Sequence, residues 1–134
     1  MREHLYRGKR KRDGVWIYGF YYTTEGKHFI LGNENPDSDI QLAYEVIPET
    51  VGEYTGLLDK NNVIIFEWDI VIIRTGYCGN PKIKTAERKY VVEWSNRRNY
   101  YAGFTPFGCS DIYEQEVVGN IHDNPELLEE HNEN

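Results

Sequence analysis

The chain has 134 residues, a length that suits one domain of ordinary size with one hydrophobic core. It contains 11 Tyr, 5 Phe and 3 Trp but a single Met, and the surplus of aromatic and β-branched residues favours strands over helices. No apolar run reaches the roughly 18 residues of a membrane span, and the first residues have no signal-peptide pattern, so we expect a cytoplasmic protein without a membrane partner. Cys78 and Cys109 are too few for a disulfide-dense domain and form no zinc-ribbon pair.

The formal net charge of −7 is distributed unevenly along the chain. Residues 99–134 carry acids and no Lys or Arg, whereas basic residues crowd the first twelve positions against the single acid Glu3. These basic residues are Arg2, Arg7, Lys9, Arg10, Lys11 and Arg12. The two ends are expected either to attract each other, within one chain or between subunits, or to be solvated. A short basic segment next to aromatic residues could also contact phosphate.

Alternating side chains predict strands in chain order. Residues 16–22 alternate with a period of two, residues 24–27 form a turn and residues 29–31 return, which predicts an N-terminal hairpin. A loop rich in turn formers follows at 32–39, and a further strand covers 40–46. The later strands are predicted at 54–58, 63–66, 70–73, 89–94, 100–105 and 116–121, with turns at 59–62 and 95–99. Asn124 as N-cap and Pro125 then begin a short helix that runs to about residue 130.

Four blocks of sequence carry a resemblance to a known family. The first is Tyr6-Arg7-Gly8-Lys9 with Trp16 and Gly19, and the longest is Glu45-Val46-Ile47-Pro48-Glu49-Thr50-Val51-Gly52-Glu53-Tyr54-Thr55-Gly56-Leu57-Leu58-Asp59-Lys60-Asn61 followed by 65–71. The others are Val92-Glu93-Trp94 with Gly103-Phe104, and Val117-Val118-Gly119-Asn120-Ile121-His122-Asp123-Asn124-Pro125-Glu126-Leu127-Leu128. In this order they resemble the YopX family, small proteins of phages and prophages. The resemblance implies a β-rich fold, a phage or prophage origin and self-association, and it supplies no catalytic residue.

Two positions depart from the pattern of that family. Asn62 stands where the hairpin usually has Gly, which is a mild change because Asn also enters the left-handed region. Trp68 stands where Gly usually precedes Asp-Ile-Val, and an indole cannot follow Gly into every backbone conformation. The geometry of the turn at Trp68 is therefore in question.

We predict a mainly β fold in a single domain that spans residues 1–134. A small antiparallel SH3-like barrel is expected at 45–121, with a basic and aromatic hairpin region at 1–44 and an acidic helix and tail at 122–134. Gly52 and Gly56 are interpreted as a bulge and turn that close the barrel, and the alternative is a backbone loop that receives a ligand or anion. The expected core residues are Ile47, Val51, Tyr54, Leu57, Ile65, Ile70, Ile72, Val91, Trp94, Phe104, Val118 and Ile121.

Catalytic patterns in the sequence are weak. Asp69 followed by Glu87-Arg88-Lys89 matches the carboxylate and Glu-x-Lys arrangement of metal-dependent nucleases, but 22 acids and 15 basic residues produce it easily by chance. The serines, expected in loops, lack a nucleophile elbow, and the histidines lack metal-ligand spacing. These residues are Ser38, Ser95, Ser110, His4, His28, His122 and His131. We expect no catalytic residue, no metal and no cofactor.

Aromatic rings interleaved with cations are the best candidate binding residues: Arg7, Lys9, Lys11, Trp16, Tyr18, Arg97 and Arg98. Rings that stack on bases and cations that contact phosphate are what single-stranded nucleic acid requires. The negative net charge argues against such binding, and Tyr and Trp are also enriched at protein interfaces. The sequence favours a non-catalytic protein-interaction or self-assembly module whose partner is a second copy or a host or phage protein. Single-stranded nucleic-acid binding is the alternative, and a metal-dependent nuclease ranks last.

Overall fold

The computed structural model describes residues 5–35, 39–76, 86–98, 101–105 and 112–128. The chain divides into two compact units, residues 1–54 and 55–134. The strands are β1 (Tyr6–Lys9), β2 (Trp16–Thr24), β3 (Lys27–Asn33), β4 (Leu42–Glu45), β5 (Gly52–Leu58), β6 (Ile64–Phe66), β7 (Asp69–Thr75), β8 (Ala86–Val91), β9 (Glu93–Arg98), β10 (Tyr101–Thr105) and β11 (Ile112–Asn120). The prediction of a mainly β fold is confirmed.

The first unit is an antiparallel sheet in the order β4-β3-β2-β1, and β1 also pairs with the start of β5. The predicted hairpin is present as β2 and β3, which are joined by Glu25 (φ 52°) and Gly26 (φ 75°). Two residues with positive φ match the twist of the flanking strands. The basic segment, which showed no strand pattern in the sequence, forms β1 and pairs with β2 from Tyr6 to Lys9.

One face of this sheet forms the core of the first unit. Ile17, Ile30 and Val46 are almost completely buried, and Tyr6, Tyr21, Tyr44 and Val51 pack against them. The sheet curls so that Arg10 bridges Val46, with the N–H of Ile47 donating to the carbonyl of Lys9 at 2.8 Å. Gly19 and Gly32 lie opposite each other, and a Cβ on Gly32 would come 1.8 Å from the carbonyl oxygen of Tyr18. The close strand approach therefore requires glycine.

The second unit contains the antiparallel sheet β11-β7-β8, the hairpin β9-β10, and β6 beside the end of β5. Its core is Ile65, Val71, Ile73 and Val92, with Val117 packed against them. The apolar run 70–73 lies in β7 at the centre of its sheet, as predicted.

The turn before β7 places Trp68 at a position that favours glycine. The φ of Trp68 is 74°, in the left-handed region. The N–H of Trp68 donates to the carbonyl of Val92 at 2.8 Å, and the N–H of Val92 donates to the carbonyl of Asp69 at 2.9 Å. Trp68 and Asp69 thus lie opposite the single residue Val92, which defines a β-bulge whose first residue is usually Gly. Trp68 therefore adopts the backbone conformation that Gly usually supplies at such a bulge.

The predicted barrel at 45–121 is wrong, because the described strands of this range lie in separate sheets and form no closed barrel. The strand expected to begin the barrel, β5, pairs instead with β1 through Arg7 and Gly52 and so extends the N-terminal sheet. The turn expected at 95–99 is also wrong, because β9 continues to Arg98. Ser95 accordingly lies in a strand and not in a loop.

The predicted core is correct in part. Ile65 and Ile70 are buried, whereas Leu57 and Trp94 are 38% and 53% exposed. Both errors follow a break in the alternation: Gly56 has a φ of 88° just before Leu57, and Val92 separates β8 from β9 just before Trp94. The side chain of Phe104 lies outside the described part of the chain. The other predicted core residues are half-buried: Ile47, Val51, Tyr54, Ile72, Val91, Val118 and Ile121.

The described end of the chain is a loop and a short helical turn at 126–128. The Oδ1 atom of Asn124, expected to cap this helix, accepts from the N–H of Asn120 at 3.2 Å. A Cβ on Gly119 would come 2.6 Å from that atom, so glycine leaves room for this contact. The expected continuation to residue 130 lies outside the described residues. Among the described residues no helix has the length and apolar character needed to cross a membrane.

Candidate binding surface

The face of the N-terminal sheet opposite its core carries a continuous group of rings. Side chains alternate along β2, so Ile17 and Tyr21 face the core, whereas Trp16, Tyr18, Phe20 and Tyr22 face the other side of the sheet. Register pairs Phe20 with Leu31 and Tyr22 with Phe29. We call this surface the aromatic face, and its residues are Trp16, Tyr18, Phe20, Tyr22, Phe29 and Leu31.

Part of the aromatic face is accessible to a partner. Phe20 is 52% exposed, Tyr22 40% and Leu31 37%. Tyr22 and Phe29 stack with their ring centroids 5.5 Å apart and their planes at 18°. An exposed group of large apolar side chains on a folded sheet typically marks an interaction site.

Two of the predicted cations lie beside Trp16 on the same face. Arg7 pairs with Tyr18 and Lys9 pairs with Trp16 across β1 and β2. The guanidinium carbon of Arg7 is 4.6 Å from the Trp16 ring centroid, and the Nζ of Lys9 is 5.4 Å from it. Arg7 is buried, with 7% exposure, so it packs against the indole instead of presenting its charge to solvent. The structure therefore brings together four of the predicted binding residues.

Much of the remaining basic segment forms ion pairs within the first unit. Arg10 donates two hydrogen bonds to Asp13, at 2.9 and 2.8 Å, and a third to Glu34 at 3.1 Å. The Arg10 guanidinium lowers the pKa of Asp13 from 3.8 to about 2, and the pKa of Arg10 is raised in return. Lys11 pairs with Glu45 at 3.2 Å. These partners belong to the first unit, so the expected attraction between the basic and acidic ends explains none of these pairs.

The other two predicted binding residues, Arg97 and Arg98, lie at the end of β9, where Arg98 pairs with Tyr101 of β10. Their side chains are outside the described part of the chain, and both belong to the second unit. Conversely, the candidate list missed the exposed residues Phe20, Tyr22 and Leu31. The alternation that starts at Trp16 contained the signal, since it separates these rings from the core residue Tyr21.

The acids of the nuclease hypothesis are not brought together. The carboxylate of Asp69 is almost fully buried and accepts from the N–H of Phe66 at 2.8 Å. Glu87 pairs with Arg74 at 3.0 Å, at the opposite end of β7 from Asp69, which places the two acids roughly 16 Å apart along the strand. Lys89 donates to the carbonyl of Leu127. The described residues contain no cluster of three or more His, Cys, Asp or Glu side chains arranged to hold a metal ion.

A second buried acid, Asp59, orders the turn between β5 and β6. Its carboxylate accepts from the N–H groups of Asn61 at 2.8 Å, Val63 at 2.9 Å and Val117 at 3.0 Å. Burial raises the pKa of Asp59, but these three backbone N–H groups favour the charged form and together hold the pKa below its usual value. The carboxylate therefore ties the turn to β11 and has a structural role.

His28, one of the histidines considered as a metal ligand, contacts the side chain of Tyr21. Its Nδ1 is 2.6 Å from the hydroxyl of Tyr21, and the two rings stack at 5.9 Å. Both lie against the core of the first unit and away from the aromatic face.

Comparison with known proteins gives one match. The family model described as YopX protein matches residues 5–129. No curated protein and no solved structure matches the chain. The match covers all four of the sequence blocks quoted above, so the resemblance is confirmed.

Proposed function

We propose that this chain, which belongs to the YopX family, is a non-catalytic interaction module that associates with a second copy of itself through the aromatic face. The exposure of Phe20, Tyr22 and Leu31 on one continuous sheet surface carries this proposal. Association would remove these side chains from water, which is the usual reason for such a patch on a folded domain. A phage or prophage origin and a bacterial cytoplasm belong to the same proposal.

The size of the patch predicts a weak association. With about 200 Å² for a large side chain, the three residues expose roughly 250 Å². Two copies would then bury roughly 500 Å², which is below the approximately 1,200 Å² of stable specific interfaces. The gross gain at about 25 cal/mol per Å² is of the same order as the cost of association, so the oligomer should depend on protein concentration.

Light scattering over a range of protein concentrations tests the proposal. We expect a mass of 15.8 kDa in dilute solution that rises with concentration. Phe20→Ser should keep the low mass at all concentrations, because Phe20 is the most exposed ring of the patch. Tyr90→Ser is the matched control, since Tyr90 is an exposed ring on β8 of the second unit.

Two results would contradict self-association. One is a mass of 15.8 kDa at every concentration, which would leave a host or phage protein as the partner. The other is an oligomer that Phe20→Ser leaves unchanged, or that Tyr90→Ser weakens to the same extent.

The non-catalytic part of the proposal is supported by the engagement of Asp69 and Glu87 in local hydrogen bonds and ion pairs. We expect no cleavage of DNA or RNA in the presence of Mg²⁺ or Mn²⁺. Cleavage by the native chain that is lost in both Asp69→Asn and Glu87→Gln would overturn this. Glu87→Gln changes an exposed side chain, so it remains informative if Asp69→Asn fails to fold.

A further inference from the structure

We infer that single-stranded nucleic acid binds to the first unit along β1 and β2, with Lys9 and Lys11 contacting phosphates and the adjacent rings stacking on bases. This site concerns a different ligand from the proposed self-association, and it shares the exposed rings Phe20 and Tyr22 with that proposal. Its basis is the cross-strand arrangement of cations and rings on one surface.

The cations form a row because Arg7 and Lys9 occupy alternate positions of β1 and Lys11 lies two residues further, at the start of the next turn. Arg7, Lys9 and Lys11 follow each other at every second residue, a spacing of roughly 7 Å along an extended chain. The bridge between Arg10 and Val46 and the hydrogen bond from the N–H of Lys11 to the carbonyl of Glu45 continue this extended path beyond β1. The side chain of Lys11 accordingly meets that of Glu45 on the same side of the sheet.

The rings form a parallel row on the neighbouring strand. Register places Tyr18 opposite Arg7 and Trp16 opposite Lys9, and adjacent strands are about 5 Å apart. Phe20 and Tyr22 continue the row along β2. Phe20 and Tyr22 are exposed, whereas Trp16 and Tyr18 are half-buried. A row of cations beside a row of rings is the arrangement that binds single strands without reading their sequence, since cations follow the backbone and rings stack on bases.

Local charge favours this ligand even though the whole chain is acidic. Arg7, Lys9, Lys11 and Lys27 lie on this side of the sheet, and Glu45 lies on the same side next to Lys11. Lys11 is 65% exposed and its pair with Glu45 is a surface pair, which costs little to exchange for a phosphate. Arg7 is buried, so its role is to position the indole of Trp16 by packing on its ring.

Fluorescence anisotropy with a labelled single-stranded oligonucleotide of mixed sequence tests the site. Two phosphate contacts predict that a tenfold rise in salt weakens binding about 25-fold. The double variant Lys9→Gln with Lys11→Gln should weaken binding at least tenfold at low salt. The control pair Lys60→Gln with Arg88→Gln removes the same charge from the second unit and should change binding less than twofold. A duplex of the same sequence should bind more weakly, because its bases cannot stack on the rings.

Three results would overturn the inference: no anisotropy change at low salt, equal weakening by the control pair, or a duplex that binds as well as the single strand. If the double variant unfolds, Lys11→Gln alone keeps the test, since its side chain is exposed. That variant should reduce the salt dependence to about fivefold per tenfold change in salt. Light scattering separates the two proposals. A chain that stays monomeric at every concentration and binds the oligonucleotide contradicts only self-association, whereas a chain that forms oligomers at high concentration but does not bind the oligonucleotide as a dilute monomer contradicts only this inference.

Discussion

Trp68 should respond to substitution in the opposite sense from an ordinary strand or turn residue. Its φ of 74° places it in the left-handed region, where a side chain costs about 1–2 kcal/mol. Gly avoids this cost but loses about 0.4–1 kcal/mol through the greater freedom of the unfolded chain. Trp68→Gly should therefore be more stable than Trp68→Ala by roughly 0.5–1 kcal/mol. Comparing these two variants with each other removes the contribution of the lost indole, which both lack.

Urea unfolding of the two variants measures this difference, and Tyr90 supplies the control. Tyr90 lies in β8 and has no positive φ, so Tyr90→Gly should be less stable than Tyr90→Ala by about 0.5–1 kcal/mol. The sign of the Gly and Ala comparison should thus reverse between the two positions. If Trp68→Ala equals or exceeds Trp68→Gly in stability, the bulge described for this turn is incorrect.

Three further substitutions test the local structure. Asp59→Ala should lower the free energy of unfolding by about 3 kcal/mol in a urea titration, because three backbone N–H groups lose a charged acceptor. A loss below about 1 kcal/mol would refute the structural role of this carboxylate. Gly32→Ala should lower the free energy of unfolding by about 3 kcal/mol, because its Cβ would lie 1.8 Å from a backbone oxygen. Gly8→Ala should lower it less, because its Cβ would lie 3.1 Å from a side-chain carbon. Equal melting temperatures of the two variants would contradict the close approach of the strands at Gly32. The pKa of Asp13 is depressed from 3.8 to about 2, so Asp13 stabilises the fold above pH 3.8 and loses this contribution as the pH falls to 2. The melting temperatures of the native protein and Asp13→Asn should therefore converge over that range. A difference in melting temperature that stays constant with pH would exclude the ion pair as the source of the stabilisation.

The parts of the fold that depend on local pattern could be predicted from the sequence. The hairpin of β2 and β3 follows from strict alternation and a turn with Gly26, and β7 follows from its short apolar run. The pairing of β5 with β1 could not be predicted, because it joins segments 45 residues apart and both have other possible neighbours. The barrel prediction failed at this long-range choice.

Errors in the predicted core arise where the backbone leaves its regular conformation. Gly56 with positive φ and the irregular residue Val92 each shift the alternation, which exposes Leu57 and Trp94. Such shifts leave little trace in composition or periodicity, since a slip of one residue exchanges the two faces of a strand.

The candidate surface could be predicted in composition but not in arrangement. The sequence identified the cations and rings, and register then placed Arg7 and Lys9 against Trp16. It did not reveal that Arg7 is buried, because burial depends on packing between segments distant in the sequence. It also did not reveal that Arg10 pairs with Asp13, which depends on the geometry of the turn after β1.

Hydroxyl-radical footprinting at low and high protein concentration tests the proposed role of the aromatic face most directly. Oxidation of Phe20 and Tyr22 should fall at the concentration where the mass rises above 15.8 kDa, while oxidation of the exposed control Tyr90 stays constant. If the mass rises and Phe20 and Tyr22 are oxidised as fast as in dilute solution, association uses another surface and the proposal is contradicted.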